Sequence, residues 1–265
     1  MKDIDFDGSE EVFIESENFF AVFKPFYGGA LFELSSKKKA VNYNDVLARR
    51  WEHYHEVPEA ATLEEGGDEG VASIHEVRKK IPDEIKRELA YGSHLRAILQ
   101  DHFLSAETSL DDYRLVRYTE LGDFIDNFYE FELMDGAVKL WRDGNVAGSP
   151  MRVEKTAKLA EDGFVADYSV KSEARALFGV ELNLAVHSVM EEPDEFDARK
   201  IELNDPYGIG KVEIKLDRKT KVWKFPIKTL SQSEAGWDFI QQGVSYTVLF
   251  PGDGELKFRL RFEEL

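Results

Sequence analysis

Short apolar stretches divided by Asp-Gly pairs constrain this chain more than any other feature. From residue 113 onward they recur at 113–120, 124–134, 137–142, 150–159, 163–171, 180–190, 210–216, 221–227, 237–250 and 255–263. Asp135-Gly136, Asp143-Gly144, Asp162-Gly163 and Asp253-Gly254 fall between neighbouring stretches. Glycine takes the positive φ of a tight reversal without steric cost, so Asp-Gly between apolar runs predicts a hairpin. Residues 11–15, 18–24 and 29–34 read as strands too, with Tyr27-Gly28-Gly29 before the last of them. About a dozen strand-length pieces in series predict a large antiparallel sandwich. A parallel fold would need a helical pattern between successive strands.

Helix signals gather in the first half. Asn42 or Asn44 is placed to cap a helix running to about Glu56, with Val46, Leu47, Arg50, Trp51 and Tyr54 along one side. Pro82 opens a second, with Asp83 and Glu84 in its first turn. A third is expected over His94 to Phe103. The acidic, glycine-rich run at 60–70 reads as an exposed loop. The chain is expected to form one domain, 1–265, with a helical excursion at 42–104 on the sandwich.

Three further blocks accompany the segment 11–55: DHFL at 101–104, FGVELNLAVHS at 178–188 and SQSEAGWDFIQQGVSYTVLFPG at 231–252. Together they resemble the C-terminal β-domain of the 4-α-glucanotransferases and α-amylases of glycoside hydrolase family 57, over nearly the whole chain. The resemblance implies a mainly β fold, a large antiparallel galactose-mutarotase-like supersandwich. It implies an accessory role, with the N-terminal catalytic barrel of a family 57 enzyme and an α-glucan or maltooligosaccharide as partners. The family's nucleophile and acid/base, a Glu and an Asp, belong to that barrel. No position here matches either motif, so no catalytic residue is carried over.

Composition narrows the alternatives. A net charge of −18 lacks the basic footprint that nucleic acid requires. Zero cysteines exclude disulfides and thiolate metal sites and fit a reducing compartment. The opening MKDIDFDGSEE has no secretory apolar core. No stretch approaches the ~18–20 apolar residues that cross a bilayer. A cytoplasmic protein is expected. Seven Asn and four Gln among abundant charged residues resemble thermophile usage. No cofactor is expected: Gly208-Ile209-Gly210 lacks the rest of a dinucleotide fingerprint. Nor is a metal, since Asp3-Ile4-Asp5-Phe6-Asp7-Gly8 begins a calcium loop whose twelfth position is Ile14.

Arg49, Arg50, Trp51, His53 and His55 form the densest polar-aromatic cluster. Trp51 offers a face for a sugar ring, and Arg and His donate to hydroxyls; the same helix face equally suits docking on the sandwich or a partner. Trp223 and Trp237, with Tyr207 and Tyr246, are further candidates for a sugar-stacking face; a sandwich core uses such residues as well, so Tyr246 reads as core and Trp223 and Trp237 stay open between the two. Asp101-His102, Glu107 and Arg117 outline a second polar patch. Glu181, Glu234 and Asp238 are the carboxylates set among apolar neighbours. Three readings follow. One is a non-catalytic accessory domain. Another is a stand-alone enzyme of the mutarotase/epimerase type acting at a sugar's anomeric centre, recruiting His102, His187 and Glu181. The third is a purely structural assembly module.

Overall fold

The apolar stretches pair edge to edge into one antiparallel sheet. The computed structural model describes residues 1–52, 81–172, 174–186, 192–233, 236–252 and 254–265. In chain order the elements are β1 (Val12–Glu15), β2 (Phe19–Lys24), β3 (Ala30–Ser36), β4 (Val41–Asn42), α1 (Asp83–Glu88), β5 (Ile98–Leu104), α2 (Leu110–Arg114), β6 (Glu130–Met134), β7 (Ala137–Val146), β8 (Ser149–Ala160), β9 (Gly163–Ser172), β10 (Leu177–Leu184), β11 (Asp194–Asp205), β12 (Gly210–Ser233), β13 (Gly236–Pro251) and β14 (Gly254–Glu264). The strands lie in the order β1-β2-β3-β5-β10-β13-β12-β14-β9-β8-β7-β6, with β11 beside β12 and β4 beside β3.

Such a sheet must curl to bury its apolar face, and the core records that it does. Val12 and Ile14 of β1 share one apolar cluster with Val138 and Leu140 of β7, although the two strands stand near opposite ends of the order. Along β8, Met151, Val153, Lys155, Ala157 and Leu159 are buried at every second position, the period of a strand with one face inward. β5 and β10 differ. β5 is buried at all seven positions and β10 at all but its first, so both have cover on two faces. Polar side chains on these strands must therefore find partners inside the protein.

Turn chemistry follows the glycines, with one shift. Met134 pairs with Ala137 around Asp135-Gly136, as expected. Asp143-Gly144 instead lies within β7, opposite Arg152 and Met151. The reversal comes at Ala147-Gly148, both at positive φ, between the paired Val146 and Ser149. Asp253 lies outside the described residues.

Three helical and strand expectations are corrected. The helix expected from Asn42 to Glu56 does not form over its described part, through Glu52. The asparagines act otherwise: the Asn42 carboxamide oxygen accepts from the Leu34 and Asn44 amides, and Asn44 donates to the Asn183 carbonyl. Both tie the segment to strands instead of starting a helix. The expected third helix is strand β5, because Gln100 to Leu104 pair with Leu177 to Glu181 of β10. Nonlocal pairing overrides a pattern that local periodicity reads as helical. Residues 113–120, expected as strand, begin within α2, whose Ser109 cap accepts from the Asp112 amide at 3.1 Å. Elsewhere 210–216 and 221–227 belong to the single long strand β12, and β11 is a polar strand that no apolar run announces.

Candidate functional site

A polar centre lies where β5 and β10 meet. A bulge in β5 leaves Leu99, at φ 64, without a partner between Ile98 and Gln100. Beyond it, alternation sends Asp101 to one face of the sheet and His102 to the other. On the first face Asp101 meets Lys155. The Lys155 ammonium donates to Asp101 Oδ2 and to the carbonyls of Gly28 and Leu99, all at 2.8 Å. Tyr129 and Tyr168 donate to the same carboxylate at 2.7 and 3.1 Å. Every ammonium proton is used, so this buried ion pair is a satisfied core element.

On the second face the carboxylate is Glu181 of β10. Arg96 Nη1 donates to its Oε1. Its Oε2 lies 2.8 Å from His102 Nε2 and accepts from the Tyr113 hydroxyl at 2.5 Å. His102 Nδ1 stands 2.9 Å from Glu120 Oε2. His94 Nε2 approaches Glu181 at 3.4 Å but makes no hydrogen bond there. Burial opposes charge on Glu181, yet Arg96 and the histidines outweigh it and hold the carboxyl well below its usual range. Burial likewise opposes charge on His102, but hydrogen bonds to Glu120 and Glu181 lift it to about 9. For His94 burial wins, and its pKa falls.

The arrangement is sealed. The side chains of His102 and Glu181 are 0% exposed. A general base needs a free lone pair, access to its proton and a pKa near the working pH. Glu181 has neither the access nor the pKa. A metal ion is an equally poor fit. Donor atoms of His94, His102 and Glu181 lie within 4.8 Å of one another, but His102 holds its proton and Arg96 already neutralises the carboxylate. The second acidic group, Asp3, Asp5, Asp7 and Glu11, surrounds Lys24, which bonds Asp5 and lies 3.3 Å from Asp7 and 3.9 Å from Glu11.

Beside this centre opens a cleft of about 790 Å³, lined by Asn44, Leu47, Arg49, Arg50, Arg96 and Ile240 among others. Arg49 is buried, Arg50 is exposed and Trp51 is half-exposed at 48%. His53 and His55 lie outside the described residues, as do His187 and Glu234. Burial and the nearby Arg96 lower the Arg49 pKa to about 9.

The tryptophans separate. Trp223 cannot stack on a sugar: it is 2% exposed, packed with Leu104, Tyr113, Phe225 and Leu249, and its Nε1 donates to Glu195 Oε2 at 2.6 Å. Inward register on β12 puts it in the core, which is the correction to its place among the sugar-facing candidates. Trp237 sits half-buried at the β12–β13 hairpin, opposite Gln232. Tyr207 is 87% exposed and Tyr246 is core. Glu107 is exposed and bonds Ser105, and Arg117 reaches the Arg87 carbonyl; neither joins His102. Of the residues singled out in the sequence, the fold brings His102 and Glu181 together. It adds His94 and Arg96 from the segment before β5, Tyr113 from α2 and Glu120 from beyond it, a meeting no local pattern reveals.

Comparison with known proteins places this architecture. Residues 3–263 match the family described as Alpha-amylase/4-alpha-glucanotransferase, C-terminal. The chain is 77% identical over 265 residues to a 4-alpha-glucanotransferase of Thermococcus kodakarensis, covering all of this chain and 40% of that protein. It is 56% identical over 265 residues to an alpha-amylase of Pyrococcus abyssi, covering 99% of this chain and 40% of the relative. The crystal structure of the 4-alpha-glucanotransferase from Thermococcus litoralis superposes with a TM-score of 0.90 at 60% identity, over 100% of this chain and 39% of that one. The chain thus spans about two fifths of the length of the curated relatives it matches. Its match runs from Asp3 to Glu263, and the chain belongs to the C-terminal domain family of the alpha-amylases and 4-alpha-glucanotransferases.

Proposed function

We propose that this accessory domain packs on the catalytic N-terminal barrel of a family 57 type α-glucan enzyme in the cytoplasm of a thermophile, and supplies stability and surface to it. The observation that carries this reading is the sealing of the Glu181 centre. The His–carboxylate pair that would serve an independent sugar enzyme is 0% exposed and already bonded to Arg96 and Tyr113. What the domain offers other molecules is therefore its surface. The isolated chain should neither hydrolyse nor disproportionate maltooligosaccharides, and it should not accelerate mutarotation of glucose in a polarimeter. Turnover by a pure preparation in either assay would refute the reading.

A second contribution, holding α-glucan, is favoured by Trp51, half-exposed beside the exposed Arg50. Stacking with a few hydrogen bonds supports only micromolar to millimolar affinity, on the order of −4 to −8 kcal/mol. Titration of maltoheptaose should give such binding, and Trp51→Ala should weaken it by about 2 kcal/mol if the ring is the anchor. No heat of binding from the wild-type chain at millimolar sugar would leave packing as the function.

A further inference from the structure

Arg49 lines the 790 Å³ cleft while more than nine-tenths buried, and only part of its guanidinium is satisfied. Nη1 donates to the Arg114 carbonyl at 2.8 Å. Nε and Nη2 are buried without an acceptor. These two N–H groups share one edge of a planar fork, the edge that receives both oxygens of a carboxylate. A buried donor without an acceptor is costly, and here the cost falls on a cation that burial and Arg96 already disfavour. Arg96 brings a third unsatisfied donor, its Nε, to the same lining. In a chain with a net charge of −18 this cleft is a place that calls for negative charge.

Two more observations say what covers it. Leu47 and Ile240 both line the cleft and are 62% and 49% exposed, so the lining carries large aliphatic groups that an apolar partner would bury. Asp5 and Lys24 line it too. It therefore opens beside the point, residue 3, where the match to a C-terminal family begins. The relatives are more than twice as long as the matched part, and the matched family is their C-terminal one, so a preceding region joins the domain at this end.

We propose that this cleft is the docking surface for the N-terminal catalytic region, with a carboxylate of that region seated on the Nε–Nη2 edge of Arg49 and apolar groups against Leu47 and Ile240. The proposal rests on the packing reading above and names its surface. A glucan hydroxyl is the weaker occupant, since it brings no charge to balance the guanidinium.

The chain has no cysteine, so single introduced thiols report accessibility cleanly. Leu47→Cys, Ile240→Cys and the control Tyr207→Cys, whose site is 87% exposed and outside the cleft lining, are labelled with a maleimide. Each is measured in this chain alone and in a chimera with the N-terminal region of the Thermococcus kodakarensis enzyme placed before it. Positions 47 and 240 should react at least about tenfold more slowly in the chimera, with position 207 unchanged. Equal rates at 47 and 240 in both forms would overturn the docking surface. Sedimentation of the same chimera judges the packing reading separately: a compact particle with reactive thiols at 47 and 240 docks by another face, whereas an extended particle refutes packing itself. Arg49→Lys keeps the charge and removes the fork. In the chimera it should return the Leu47→Cys rate to within about threefold of the isolated chain, while the isolated chain's melting temperature changes little. Full protection retained in Arg49→Lys would overturn the carboxylate seat.

Discussion

Glu181 keeps its charge where water does not reach it, and it does so because Arg96, His102 and Tyr113 all donate to it. Removing one member of such a pair leaves the other charge buried alone, which costs about 3–5 kcal/mol. Glu181→Gln should therefore lower the melting temperature by roughly 10 °C, given ~2–4 °C per kcal/mol for a domain of this size. A variant that melts within a few degrees of wild type would show that the network contributes little. His102 gives the same centre a pH signature. Its folded pKa of about 9 lies above the ordinary imidazole value of 6.5, so between these pH values the folded state binds the extra proton. Its contribution is complete below pH 6.5 and is lost as the pH rises toward 9, by roughly 3 kcal/mol at most. His94, with a lowered pKa, acts on the acid side of that window. Melting temperature should fall from pH 6.5 to 8.5 in the wild type and stay flatter in His102→Gln; parallel profiles would assign the titration elsewhere. At this scale the sequence is partly readable. His102 and Glu181 stood out by residue type, but their meeting depends on a register across 79 residues that no local pattern encodes.

Elements were legible where apolar alternation and turn chemistry agreed, as for β1, β2, β3 and the run from β6 through β9. They failed where tertiary pairing decides. Residues 98–104 carry no alternation because β5 is buried on both faces, so period alone could not separate strand from helix. β11 is mostly polar outward and declares itself only through its pairing with β12. Trp223 illustrates the same limit within a strand, since an aromatic on β12 faces core or solvent according to register. Its ring lies 5.4 Å from Tyr113, whose hydroxyl in turn bonds Glu181, so the second apolar cluster holds the polar centre in place. Trp223→Ala should cost about 3–5 kcal/mol, the range for emptying a large aromatic site. Maltoheptaose affinity of the folded variant should not change. Weakened sugar binding with unchanged stability would return Trp223 to the surface.

Across the whole molecule, the ends of the chain meet in one core. The main apolar cluster includes Val12 near the start and Phe262 near the end, and Tyr43 packs edge-on against Phe262 at 5.0 Å while donating to Glu264. β5, in the chain's first half, pairs directly with β10, and β10 with β13, so the local meanders β1–β3 and β6–β9 are joined into one sheet through distant partners. Two domains would each need a core of their own. The expected outcome for residues 1–265 is therefore a single thermal transition, although the length exceeds the ~150 residues below which two-state unfolding is usual. Scanning calorimetry of the isolated chain should give a calorimetric enthalpy close to the van't Hoff value. Cutting β1 and β2 away from the sheet should abolish the transition instead of shifting it, because Val12, Ile14, Phe19 and Phe23 are part of the shared cluster. Two resolved peaks, or a truncated chain that still melts cooperatively near the wild-type temperature, would show that the sheet unfolds in independent parts.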